Sequence, residues 1–139
     1  MFDIEIEQLI PHRKRMKLID EVLEIDDQKV ITLSIVNERW PLVYNNTVHP
    51  IILIEIVAQT AAVVVGNKKL KESSKGASGY LVGIKTADFF VENIPVGSRL
   101  ECRVNLLYNL EIYGVFTGTV YSGNEIQGKI EIQVFSPEQ

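Results

Sequence analysis

One glutamate stands in the most apolar stretch of the chain. In "VHPIILIEIVAQTAAVVVG", residues 48–66, Glu55 is followed four residues later by Gln59. An ionised carboxylate among isoleucines and alanines is costly, so it must take up a proton or find a partner. A carboxyl group kept protonated near neutral pH is what a general acid requires. Gln59 follows one helical turn later on the same face. It is placed either to hydrogen-bond the Glu55 carboxyl group or to satisfy a backbone carbonyl. His49 is the nearby candidate base, with helix capping as its alternative role. A rise of about 1.5 Å per residue sets it roughly 9 Å along the axis from Glu55, a gap that a substrate could fill.

Other chemistries find little support. The chain has two histidines and one cysteine, too few to suggest a Cys/His zinc site, and neither a metal nor a cofactor is expected. Cys102 reads as a small core residue. A net charge of −4 argues against a nucleic-acid binder, which is normally basic. The start "MFDIEIEQLIPHRKR" lacks the apolar segment of a signal peptide. The apolar run 51–65 falls short of the roughly 20 residues that span a bilayer and contains Glu55. A cytoplasmic protein without a membrane span is expected. At 139 residues, 46% of them hydrophobic, residues 1–139 suit one domain with a sizeable core.

The elements that must position Glu55 follow from the pattern. "MKLIDEVLEID" and "QKVITLSIV" read as strands joined at Asp26, Asp27 and Gln28, aspartate being a turn former. "NERWPLVYNNTVHP" has two prolines, three asparagines and no period, so it reads as a long loop with at most a short helical turn. Residues 51–70 form the helix, entered at Pro50 and ending at Gly66 or a turn beyond. "GYLVGIKTADFF", "SRLECRVNLLYNL", "IYGVFTGTVYS" and "EIQGKIEIQVF" read as strands, with Ser122 and Gly123 turning between the last two. A helix apolar on nearly every face must be wrapped on all sides. The pattern therefore predicts an α+β fold, a strongly curved antiparallel sheet wrapped around one central helix. Its open edges need cover, which predicts a dimer.

That arrangement is the hotdog fold, and three stretches sharpen the resemblance. "LIPHRKRMKLIDEVLEI" resembles the opening of the FabZ-type 3-hydroxyacyl-[acyl carrier protein] dehydratases. "IILIEIVAQTAA" resembles their central helix, and "GIKTADFFVENIPVGSRLECRV" their following strand and turn. Together they cover Leu9 to Val104 in order. "IPVGSRL" is closer to a divergent branch that includes dehydratases of aryl polyene synthesis.

The resemblance implies that Glu55 helps expel the C3 hydroxyl as water while a histidine of the other subunit removes a C2 proton. It implies that backbone N–H groups, some at the helix N-terminus, polarise the thioester carbonyl. Gln59, Trp40, Tyr44 and Gly79 form the expected substrate-binding set, with Trp40 and Tyr44 shaping an acyl tunnel. His12 is implied to be structural. The family's histidine, fourteen residues before the acid, falls here on Pro41, and the family's "PG" at the helix entrance is His49-Pro50.

The expected substrate is an acyl thioester on acyl carrier protein or coenzyme A. A homodimer, a higher oligomer or a heterodimer with another hotdog protein is the expected assembly. "HRKRMK" and "NKKLKESSK" carry Arg13, Lys14, Arg15, Lys17, Lys68, Lys69, Lys71 and Lys75, and suit either an acidic carrier or plain solvation. Two rival functions stay open: a hotdog thioesterase, and a non-catalytic acyl-binding subunit that pairs with an active dehydratase.

Overall fold

The structure, a computed structural model, describes residues 17–73, 81–110 and 113–135. Asp26 makes the first turn. Its Oδ1 accepts the N–H groups of Gln28 and Lys29, both at 2.8 Å, and so joins strand β1 (Glu21–Ile25) to β2 (Lys29–Ile35). Helix α1 (Ile52–Ser73) follows, then β5 (Leu81–Phe89), β7 (Arg99–Leu110), β8 (Tyr113–Ser122) and β9 (Glu125–Phe135). Gly123, at φ 62°, lets Ser122 pair with Glu125 across a two-residue loop. These strands make one antiparallel sheet in the order β1-β2-β7-β8-β9-β5. Register shifts in β1, β5, β7 and β8–β9 bend the strands that carry them. This is the hotdog arrangement, a central helix lying against the face of a bent sheet.

The segment read as a loop holds a small second sheet. β3 (Val43–Tyr44) and β4 (Thr47–Val48) form a hairpin, and β4 also pairs with β6 (Ile94–Pro95). Asn45 at φ 53° and Asn46 at φ 63° supply the two left-handed residues that the tight turn needs, which asparagine tolerates better than most. Leu42 also has positive φ, 67°, and its carbonyl accepts the His49 N–H at 3.2 Å.

Three further expectations are corrected. The first strand begins at Glu21 rather than Met16, because the Leu18 N–H goes to the Gln59 side chain instead of a ladder. Leu18 and Ile19 are buried against the helix core instead. The helix runs through Gly66, which is buried within it, to Ser73. Nor do the described residues cover the helix on all sides. Leu53, Ile56, Val57, Thr60 and Val64 are buried, but Ile51 is exposed and Ile54, Glu55, Ala58 and Val65 are only half-buried. At about 100° per residue these last five share one side of the helix. No helix among the described residues is long and apolar enough to cross a membrane.

Candidate functional site

Glu55 lies in the first turn of α1, on the border of the stripe that the sheet leaves uncovered. Gln59, fully buried, fixes it. Its Nε2 donates to Glu55 Oε2 at 3.1 Å while its Oε1 accepts the Leu18 N–H at 2.9 Å. The expectation that Gln59 could bond the carboxyl group holds, and its other end meets a backbone N–H rather than a carbonyl. One amide thereby ties the acid to the segment before β1. Spacing put Gln59 within reach of Glu55 as one of two alternatives; the Leu18 contact, 41 residues away in sequence, carried no sequence signal.

His49 caps the helix. Its Nδ1 accepts the Ile51 N–H at 3.1 Å, and its carbonyl accepts the Ile52 N–H at 3.1 Å. With Nδ1 engaged as an acceptor, a neutral ring carries its proton on Nε2, so the outward nitrogen is a donor. The next N–H groups are also occupied: Leu53 N–H reaches the Pro50 carbonyl at 2.9 Å and Ile54 N–H the Ile51 carbonyl at 3.1 Å. The first turn therefore spends its donors within the chain. These are the N–H groups that the resemblance implies for a thioester carbonyl, and here they meet chain acceptors.

The two aromatic candidates separate. Trp40 is 7% exposed and belongs to the core, whereas Tyr44 is 78% exposed on the hairpin. Gly79 and His12 lie outside the described residues. So do Arg13, Lys14, Arg15 and Lys75 of the basic clusters, and the side chains of Lys68, Lys69 and Lys71. Lys17 is the one member of those clusters whose side chain is described, and it is half-buried. No cluster of three or more metal-ligating side chains occurs among the described residues.

Sequence reasoning expected open sheet edges but did not single out β5 as one of them. This strand lies at the edge of the sheet, and no residue from 83 to 90 is buried. Ile84, Ala87 and Phe89 pair with Ile132, Ile130 and Gly128, positions that face the helix. The apolar inner face of the sheet therefore continues to its edge and stops uncovered, with Ile84 54% exposed. Alternation blurred by the bulge between Ile84 and Thr86 concealed this in the sequence.

Comparison with known proteins agrees with this architecture. A family model described as ApeP-like, ApeP dehydratase, matches residues 4–139. The 3-hydroxyacyl-[acyl-carrier-protein] dehydratase FabZ of Oceanobacillus iheyensis is 30% identical, aligned over 95% of this chain and 96% of its own length. FabZ of Pelotomaculum thermopropionicum is 31% identical over the same shares. Among solved structures, the dehydratase heterocomplex ApeI:P from Xenorhabdus doucetiae superposes with a TM-score of 0.84. It is 22% identical, with 98% of this chain and 93% of that one covered.

Proposed function

The chain belongs to the ApeP-like dehydratase family, and on that premise we propose that Glu55 is the acid in removal of water from a 3-hydroxyacyl thioester. The observation that carries this reading is the pose of Glu55: half-buried, gripped by Gln59, on the stripe of α1 that its own sheet leaves open. In the elimination a base takes the C2 proton and the C2–H electron pair becomes the C2=C3 double bond. The C3–O bond breaks, and the departing hydroxyl leaves as water with the Glu55 proton. Gln59 holds the carboxyl group through Oε2 while this happens. The protonated base and the Glu55 carboxylate then re-equilibrate, and the product is a trans-2-enoyl thioester.

The base comes from a second hotdog chain seated on the open flank of β5. His49 is occupied as a helix cap, and Pro41 stands where the family's histidine would be. The related ApeI:P assembly is a heterocomplex, which supports a partner that differs from this chain. The substrate in this reading is an acyl chain on acyl carrier protein, as in the names of the FabZ relatives.

The test is to express the chain alone and with a hotdog protein that carries the histidine. Each preparation is incubated with 3-hydroxyacyl carrier protein, and enoyl product and free thiol are followed together. The expected result is enoyl formation by the pair, lost by about 10²–10⁴-fold in Glu55→Gln. Thiol release without enoyl product would mark a thioesterase instead, and full activity in Glu55→Gln would remove the assigned role.

A further inference from the structure

Two glycines lie under the helix on the side opposite the acid. Gly118 of β8 pairs with Ile130, and Gly128 of β9 pairs with Val120, so the two sit on adjacent strands, two residues apart along the ladder. A Cβ on Gly118 would lie 2.7 and 2.8 Å from the two Cγ atoms of Val57, and 3.2 Å from Cγ2 of Val104. A Cβ on Gly128 would lie 2.8 Å from Cδ1 of Leu53 and 3.1 Å from the Asp88 carbonyl oxygen. Leu53 and Val57 are fully buried. The missing side chains form a trough into which these two residues fit as knobs.

A polar latch continues the same line. Thr60 Oγ1 and Thr32 Oγ1 are 2.9 Å apart, both fully buried, and the Cys102 thiol opposite Thr32 also hydrogen-bonds Thr60. Leu53, Val57 and Thr60 recur at i, i+4 and i+7. At about 100° per residue they lie roughly 140–200° around the helix from Glu55. The seats that fix the roll of the helix are thus antipodal to the carboxyl group.

We propose that Gly118 and Gly128 are positioning residues for Glu55: their missing Cβ atoms seat Val57 and Leu53, and the resulting roll of α1 turns the acid onto the uncovered stripe. Val57 is β-branched and stiff at χ1 in a helix, so it cannot swing clear of an added methyl group. The helix must lift or roll instead, while Gln59 stays anchored to Leu18, and the Gln59–Glu55 contact is where the displacement appears. Leu53 meets Gly128 with a terminal methyl, so on the helix side that seat is the more forgiving of the two, while the Asp88 carbonyl oxygen presses on it from β5. The catalytic part of the inference rests on Glu55 being the acid; the geometric part does not.

The experiment uses Gly118→Ala and Gly128→Ala, each alone and combined with the matching reduction, Val57→Ala or Leu53→Ala. Three quantities are followed: thermal midpoint, NMR signals of the Gln59 side-chain amide, and kcat and KM for dehydration by the complex. Gly118→Ala is expected to shift the Gln59 amide signals and to lower kcat about ten- to a hundredfold with little change in KM. Gly118→Ala with Val57→Ala is expected to restore both. Gly128→Ala should move the same readouts less, and it decides the matter if Gly118→Ala does not fold. A lower midpoint with Gln59 signals and kcat unchanged would overturn the proposal, as would a double variant that regains stability without them. Should the wild-type complex form no enoyl product, the dehydratase reading fails, and the Gln59 signals alone still decide the positioning.

Discussion

Gln59 meets Glu55 through an amide that can face only one way. Oε1 accepts the Leu18 N–H at 2.9 Å, which leaves Nε2 as the end that donates to Glu55 Oε2 at 3.1 Å. Two substitutions separate these contacts. Gln59→Leu strands a buried backbone N–H and is expected to cost about 1–3 kcal/mol of stability. Gln59→Glu keeps an acceptor for Leu18 but sets two carboxyl groups within hydrogen-bonding distance. One of them must hold a proton, so its folded pKa rises above the unfolded value. The stability of this variant is therefore highest below the ordinary carboxylate range and declines as pH rises through the raised value. Urea midpoints at about pH 5 and about pH 8 check this, with wild type as reference.

His49 is tied by Nδ1 to the Ile51 N–H at 3.1 Å, a capping contact that asparagine reproduces and alanine does not. His49→Ala is expected to lower unfolding free energy by about 0.5–2 kcal/mol, and His49→Asn to recover most of it. Dehydration by the complex should survive in His49→Asn. A collapse of kcat in that variant at undiminished stability would identify His49 as a base after all.

The sequence carried the parts whose signals are local. Asp26 announced its turn and Gly123 its hairpin, and the spacing of Glu55 and Gln59 allowed their contact. Asn45 and Asn46 also marked a hairpin, but two-residue strands are too short to show a period, and the stretch reads as a loop. The trough at Gly118 and Gly128 was invisible for another reason: it exists only once β8 and β9 pair in register and α1 crosses them. Apolar residues all round α1 stated that every face needs cover, but not whose cover it is. The described residues supply it on the Leu53–Val57 side and stop short at Ile51, Ala58 and Val65.

Cys102 offers a pH-dependent check on the packing under the helix. Burial pushes its thiol up from 9.0 to about 12, and the hydrogen bond with Thr60 offsets only part of that rise. Below pH 9.0 folded and unfolded chains both keep the proton. Between 9.0 and about 12 the unfolded chain releases it and the folded chain does not, so stability falls as pH rises. The slope from this group approaches about 1.4 kcal/mol per pH unit at most. The unfolding free energy of wild type minus that of Cys102→Ala, followed from about pH 8 to about pH 10.5, should therefore decrease as pH rises. In native protein at neutral pH the thiol should also resist thiol-specific reagents that label it fully in denaturant.

The edge of β5 gives the most direct reading of assembly. Ile84 and Phe89 face the inner side of the sheet yet stand 54% and 37% exposed, beside a ladder edge that no strand of the described residues pairs. Covering an apolar side chain of this size is worth about 1.5–3 kcal/mol, so a charge placed there forfeits that gain and adds a desolvation cost. Ile84→Lys and Phe89→Glu are each expected to weaken association with the partner hotdog chain by at least about tenfold, since 1.4 kcal/mol is one decade in affinity. Asp88→Ser, on the outer face of the same strand, should change it by much less. Sedimentation of mixed chains at several concentrations separates these outcomes. Equal affinity for wild type, Ile84→Lys and Phe89→Glu would place the partner on some other face and leave Glu55 without the base that the proposed reaction needs.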